Sequence, residues 1–276
     1  MTQAIKRPAF FISDHTGITS ELVGRALLAQ FAGVEFHPVL LPFIDSPEKA
    51  RSALDTINQA FLKYAQRPVV FSTLVQAETR AVIAEANALV LDLFALLSGP
   101  LKTELGIAPA GATGLAHGIG NQFAYQRRID AVNFTLDHDD GSKTSNLKSA
   151  DVILVGASRV GKTPTCLYLA LQHGVRAANY PLTPEDFDDA RLPDAITPYR
   201  AKLFGLTISP ERLHQIRTER QPGSEYAALE NCRHEVLQSE RLFREEGIVF
   251  LDTTTQSIEE IAATIIHRLK LRRHAR

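Results

Sequence analysis

Gly156-Ala157-Ser158-Arg159-Val160-Gly161-Lys162-Thr163 spells GxxxxGK[ST], the spacing of a phosphate-binding loop. Glycines there let successive backbone N–H groups turn toward phosphate oxygens, and the helix that follows adds the positive end of its dipole. Lys162 brings a compact positive charge to a transferring phosphoryl group, and Thr163 offers a hydroxyl to Mg²⁺. Every residue from Gly156 to Thr163 is therefore assigned to nucleotide binding. Average residue frequencies give on the order of 0.01 chance matches in a chain of this length. The setting agrees, because an apolar strand precedes the loop and the apolar helix Cys166–Leu171 follows it.

Three other clusters carry groups able to do chemistry. Ser13-Asp14-His15-Thr16-Gly17 stands where a strand gives way to a helix, a place where α/β sheets bind ligands; its plainer reading is an N-cap turn. His138-Asp139-Asp140-Gly141 offers acids or a base for proton transfer, or simply an Asp-Gly turn after a helix. Arg212, Arg217 and Arg220 follow Ser209-Pro210-Glu211, as arginines do on the lids of small P-loop kinases, or as a solvated helix face. The acid that should accompany Thr163 at a metal is not evident. Asp252 ends a strand but equally suits a turn cap, and His117 is a lone histidine in a glycine-rich stretch.

These groups need a scaffold of alternating strands and helices. Pro8–Ser13, Val34–Leu41, Val69–Ser72 and Ala88–Leu91 read as strands of a parallel sheet, with crossover helices between them. Ile18, Leu22, Ala26 and Ala29 form the expected inner face of the first helix. Ser46-Pro47-Glu48 opens the second, whose stripe is Ala50, Leu54, Ile57, Phe61 and Tyr64. Glycines 106, 111, 114, 118 and 120 mark a loop, Gln122–Leu136 a helix, and the polar stretch 141–149 a linker. Strands at Asp151–Val155, Ala177–Tyr180, Leu203–Ile208 and Ile248–Leu251 follow, with a charged helix over about Glu225–Glu245. Ser257-Ile258-Glu259-Glu260 is a capping box before a last helix whose stripe is Ile258, Ile261, Ile265 and Leu269. The expected fold is α/β, with an N-terminal parallel-sheet lobe over 1–140 that includes the glycine-rich loop. A P-loop, kinase-like, nucleotide-binding lobe occupies 150–276.

Composition narrows the class. A hydrophobic share of 45% with 22% charged residues is that of a globular protein, and the formal net charge of −1 gives no reason to expect nucleic acid as a partner. The basic end, with Arg268, Lys270, Arg272, Arg273 and Arg276, reads as a solvated helix terminus. No apolar run is long enough to span a bilayer, and Met1–Pro8 lacks a signal-peptide core. The two cysteines, Cys166 and Cys232, have no metal-type spacing and read as small core residues. The expected setting is the reducing cytoplasm, with no membrane partner.

Five segments together resemble the family of dikinase regulatory proteins. That family comprises the bacterial regulators of phosphoenolpyruvate synthase (pyruvate, water dikinase) and plant relatives acting on pyruvate, phosphate dikinase. The segments are SDHTGIT at 13–19, RRIDAVNFTLDHDDG at 127–141, ADVILVGASRVGKTPT at 150–165, LFGLTISPERL at 203–213 and LDTTTQSIEEIA at 251–262. One departure is Gly161, where many relatives carry serine. The resemblance implies a bifunctional serine/threonine kinase and phosphorylase. In one direction it uses ADP to phosphorylate a threonine of phosphoenolpyruvate synthase and inactivate it, when the neighbouring catalytic histidine is already phosphorylated. In the other it removes that phosphate onto inorganic phosphate, releasing pyrophosphate. Lys162 then stabilises charge, Asp139 or Asp140 is the base, and Asp14 serves the reverse reaction if that has its own site. The resemblance is compatible with a homodimer. Two rivals remain: a small-molecule ATP-dependent P-loop kinase, and a nucleotide-sensing module without turnover.

Overall fold

A computed structural model describes residues 5–112, 122–141, 145–188 and 191–271. The chain forms two compact units that divide between residues 118 and 119.

The first unit contains strands β1 (Ile5–Ile12), β2 (Val34–Leu41), β3 (Val69–Ser72) and β4 (Leu89–Asp92), with helices α1 (Ile18–Leu28), α2 (Pro47–Tyr64), α3 (Ala77–Ala84) and α4 (Leu93–Leu105). The sheet is parallel, in the order β2-β1-β3-β4. Both faces of β1 are covered: Phe10 and Ile12 join one apolar cluster with Ile57 and Ile83, while Ala9 and Phe11 join another with Phe71. This is the burial expected of a central parallel strand. Pro38 lies in β2, an edge strand, where a missing N–H is tolerated.

Helix α1 departs from its expected orientation. Ile18 and Leu22 are 60% and 69% exposed, and the helix seats on Ser20 and Gly24 instead. The rings of Phe11 and Phe71 fill the space beneath it, so that a Cβ on Gly24 would lie 2.4 Å from Phe11. Only small residues fit there, and the larger apolar ones turn outward. Strand β4 is likewise less buried than a continuous apolar run implies, because it is an edge strand. In the glycine-rich loop, Gly106 and Gly111 fall within the described residues; Gly114, His117, Gly118 and Gly120 lie outside them.

The second unit contains α5 (Gln122–Asp137), β5 (Val152–Gly156), α6 (Lys162–His173), β6 (Ala177–Pro181), α7 (Pro184–Asp188), β7 (Leu203–Thr207), α8 (Pro210–Arg220), α9 (Leu229–Glu245), β8 (Phe250–Asp252) and α10 (Ile258–Arg268). Its sheet is also parallel, in the order β6-β5-β7-β8. Val152 and Leu154 of β5 pack with Cys166, Leu169, Ile261 and Ile265; Ile153 and Val155 face Phe134, Leu242 and Phe243. Both cysteines are buried and unpaired.

The division between the units falls earlier than the expected 141–149 linker. Helix α5 belongs to the second unit: Phe134 is buried in its core, and the Thr135 hydroxyl donates to the Ala177 carbonyl at 2.8 Å. Leu147 and Ala150, within and beside the polar stretch, are buried in the same core. The charged helix expected from Glu225 resolves into a 3-10 turn, Glu225–Ala227, and α9. The capping box at Ser257 and Glu260 is formed. Arg272, Arg273 and Arg276 lie outside the described residues. Among the described residues, no helix is long and apolar enough to cross a membrane.

Candidate active site

The 156–163 loop leaves the carboxyl end of β5, a strand buried throughout its length. Gly156 is required by close approach, since a Cβ there would lie 2.3 Å from the Leu206 carbonyl oxygen of the neighbouring strand. Two left-handed residues then turn the chain: Arg159 with φ 78°, uncommon for a residue with a side chain, and Gly161 with φ 95° at the start of α6.

Lys162 does not face solvent. It is 4% exposed, and its Nζ donates to the carbonyls of Gly156 at 2.9 Å and Ala157 at 2.7 Å. The loop is folded around its own cation. Burial pulls the ammonium down to about 8, against the opposing pull of Asp140 and Asp139. An anion entering the loop competes with two carbonyl oxygens for this charge.

Beside Lys162 lies a cluster of oxygen groups. The Thr163 hydroxyl donates to Asp139 Oδ1 at 2.8 Å. The Asn179 amide, from β6, reaches Asp139 Oδ1 at 2.7 Å, Asp140 Oδ1 at 3.1 Å and Thr163 Oγ1 at 2.9 Å. The acids sit on a short 3-10 turn after α5, in which Asp140 has φ 50°. His138 pins that corner. Its ring nitrogens lie 2.8 Å from the Phe134 carbonyl and 2.9 Å from that of Ser145, and its own carbonyl accepts the Asn179 N–H at 3.0 Å. The His-Asp-Asp-Gly run is thus more than a turn: it delivers Asp139 to the threonine of the loop and Asp140 to Asn179 beside it. Asp252 does not bond Thr163 in this structure. It is exposed and caps its own turn, accepting the Thr254 N–H at 2.8 Å.

Asn179 Oδ1 is buried with no hydrogen-bond partner, an orphaned acceptor of the kind that a cation or water satisfies. The two carboxylates and the Thr163 hydroxyl form a hard donor set that fits Mg²⁺, which takes few protein ligands and keeps several waters.

The arginines after Pro210 divide by role. Arg217 is fully buried, paired with Glu235 through both terminal nitrogens at 2.9 and 2.7 Å. It also donates to the carbonyls of Ser158 at 3.0 Å and Tyr226 at 3.1 Å. It is a brace for the loop rather than a mobile lid arm. Arg220 and Arg159 line a cavity of about 450 Å³ together with Asp139, Asp140, Lys162 and Asn179. Arg212 is exposed and bonds Gln215. The brace formed by Arg217, Tyr226 and Glu235 was invisible in sequence, where an arginine on a polar helix is ordinary.

The sequence candidates therefore separate. Lys162, Thr163, Asp139 and Asp140 form one cluster in the second unit. Asp14 belongs to the first unit, where its Oδ2 accepts the Val75 N–H at 3.2 Å.

A buried lysine, two acids and a hydroxyl gathered at the carboxyl end of a parallel strand define the class: an α/β enzyme of phosphoryl chemistry. The chain belongs to the kinase/pyrophosphorylase family, whose profile matches residues 9–266. It is 50% identical over 270 residues to a protein of Marinobacter nauticus, covering 98% of this chain and 100% of the relative. It is 51% identical over 267 residues to one of Cupriavidus metallidurans (97% and 98%) and 53% identical over 268 residues to one of Azoarcus sp. (97% and 97%). Each of these relatives is named as a candidate phosphoenolpyruvate synthase regulatory protein.

Proposed function

We propose that this chain is a bifunctional regulator of phosphoenolpyruvate synthase, acting in the reducing cytoplasm as a serine/threonine kinase and phosphorylase. It takes ADP as phosphoryl donor in one direction and inorganic phosphate as acceptor in the other. The observation that carries the reading is the joining of Thr163, Asp139 and Asp140 through bonds of 2.7–3.1 Å that include Asn179, in the cavity that Lys162 also lines. The second unit is then a P-loop, kinase-like lobe, in which the 156–163 loop holds the diphosphate.

In the kinase direction the target threonine oxygen attacks the β-phosphorus of ADP. The bond to the bridging oxygen breaks, AMP departs, and the threonine proton passes to a carboxylate. Asp140 fits that role better than Asp139. Both acids line the cavity, but Asp139 Oδ1 is engaged by both Thr163 and Asn179, whereas Asp140 Oδ1 accepts only the longer 3.1 Å bond among the described residues. Asp139 then holds Thr163, and the two would hold Mg²⁺, which when bound would supply charge neutralisation on the phosphates. Lys162 leaves the loop carbonyls to meet the charge of the equatorial oxygens. In the reverse direction an oxygen of inorganic phosphate attacks the phosphothreonine phosphorus. Threonine leaves with the proton returned from Asp140, and pyrophosphate forms. The two reactions differ only in whether AMP or bare phosphate carries the far oxygen, so one loop serves both.

The burial of Arg217 takes one of the three arginines after Pro210 away from the lid that the small-molecule kinase rival would build from them. The test is incubation with phosphoenolpyruvate synthase and β-labelled ADP. Label is expected on a target threonine, and robust transfer from γ-labelled ATP in an ADP-free assay would return the rival. A nucleotide-sensing module would give no label from either donor.

A further inference from the structure

The two units share one topology. In each parallel sheet the first strand lies between the second and the third, and the fourth lies beyond the third. The chain departs from the first and third strands toward opposite sides, which opens a crevice at their carboxyl ends. In the second unit the loop after β5 carries the Lys162 cluster. The corresponding loop after β1 is Ser13–Gly17. Both loops end on a left-handed glycine that starts the following helix, Gly17 at φ 78° and Gly161 at φ 95°.

The first-unit crevice is a cavity of about 400 Å³, lined by loops after β1 and β3, by residues of α1, α3 and α4, and by residues 109–112, a size suited to a small ligand. Its chemistry differs from that of the second unit. The position of Lys162 is taken by Ile18, which is 60% exposed, and an acid, Asp14, lines the cavity. Asp14 Oδ2 takes the Val75 N–H, while the other carboxylate oxygen accepts no bond from the described residues. Arg80 lines the same cavity. Its Nε is fixed on Asp92 Oδ2 at 2.6 Å, which leaves the two terminal guanidinium nitrogens without a partner among the described residues. Leu74, Val75 and Phe94 supply apolar wall.

We propose that this cavity is a second nucleotide site, for a nucleoside monophosphate. A carboxylate with a free oxygen is the group that accepts sugar hydroxyls. A guanidinium oriented by an acid presents a fork to a phosphate. The apolar wall, with the partly exposed Phe94 ring, offers a surface for a base. A diphosphate is disfavoured, because the loop is short, lacks the lysine and presents a negative charge. Under the reaction proposed above, a nucleoside monophosphate is what ADP leaves behind, so the site gives the chain a sensor of its own turnover. That link rests on the reaction; the binding does not.

The test is calorimetric titration of the full chain with AMP, in wild type and in Lys162→Ala, which removes the cation of the second-unit loop. AMP binding is expected to stay within about threefold of wild type in Lys162→Ala. It should weaken at least tenfold in Asp14→Asn, which keeps an acceptor for Val75, and in Arg80→Met, with unchanged melting temperatures. Adenosine should bind more weakly than AMP and be indifferent to Arg80→Met. The proposal is overturned if Lys162→Ala abolishes AMP binding, if Asp14→Asn and Arg80→Met bind AMP as wild type does, or if ribose 5-phosphate binds as tightly as AMP. Labelled transfer to the target, measured separately, reports on the second-unit reaction whatever the titrations show.

Discussion

Arg217 donates from one terminal nitrogen to the Ser158 carbonyl at 3.0 Å and to Glu235 at 2.7 Å, so a buried ion pair is tied directly to the 156–163 loop. Tyr226 completes the brace: its hydroxyl donates to Ser158 Oγ at 3.0 Å, and the guanidinium lies 4.1 Å from its ring centroid. Removing one partner of such a pair strands a buried charge. Arg217→Ala is therefore expected to cost about 3–5 kcal/mol in chemical denaturation. A double change, Arg217→Met with Glu235→Leu, should recover most of that stability, because neither charge is left behind. It should not recover phosphotransfer, since the Ser158 carbonyl stays unbraced. If the double variant transfers at the wild-type rate, the brace is structural only.

Lys162 links the loop to pH. Its ammonium is lowered by burial to about 8 in the folded chain, from 10.5 as its ordinary value. Between these values the unfolded chain binds more protons than the folded one, so stability rises with pH across that window. Relative to Lys162→Met, the wild type should gain stability from pH 8 to 10.5. Activity moves the other way. The charged form serves the phosphoryl group, so kcat/KM should fall as pH rises through about 8. A pH–stability curve that runs parallel for the two proteins would contradict the burial of this charge.

The two acids should separate by substitution. Asp140→Asn is expected to lower kcat by about 10²–10⁴ while sparing the KM for ADP, as loss of a general base does. Asp139→Asn loosens Thr163 and should raise the Mg²⁺ concentration needed for half-maximal rate. Steady-state kinetics at graded Mg²⁺ distinguish the two. An Asp139→Asn variant that loses kcat at saturating Mg²⁺, beside an active Asp140→Asn, exchanges the roles.

A single site for both reactions predicts competition. ADP should inhibit phosphate-dependent dephosphorylation competitively with phosphate. Lys162→Ala should weaken both activities by about 2–4 kcal/mol of transition-state stabilisation. If Lys162→Ala removes only the kinase while Asp14→Ala removes only the phosphorylase, the second reaction belongs to the Ser13–Gly17 loop.

What the sequence determined by itself is local. The caps at Ser46, Ser209 and Ser257 form because a side-chain oxygen reaches an N–H three residues on, a distance fixed by the helix itself. The GxxxxGKT spacing placed a strand, a turn and a helix start in order, since each depends on neighbours within one turn of chain. The tertiary structure decided the rest. Asp139 lies 24 residues before Thr163 and meets it only because α5 packs on the sheet of the second unit, which also moved the boundary between units. Arg217 reads as a lid arginine until Glu235, 18 residues away, draws it inside. Lys162 is buried because the loop closes over it, and α1 turns Ile18 and Leu22 outward because Phe11 and Phe71 leave room only for Gly24. In each case a long-range partner sets the burial of the group, and no spacing along the chain encodes which partner folding will supply.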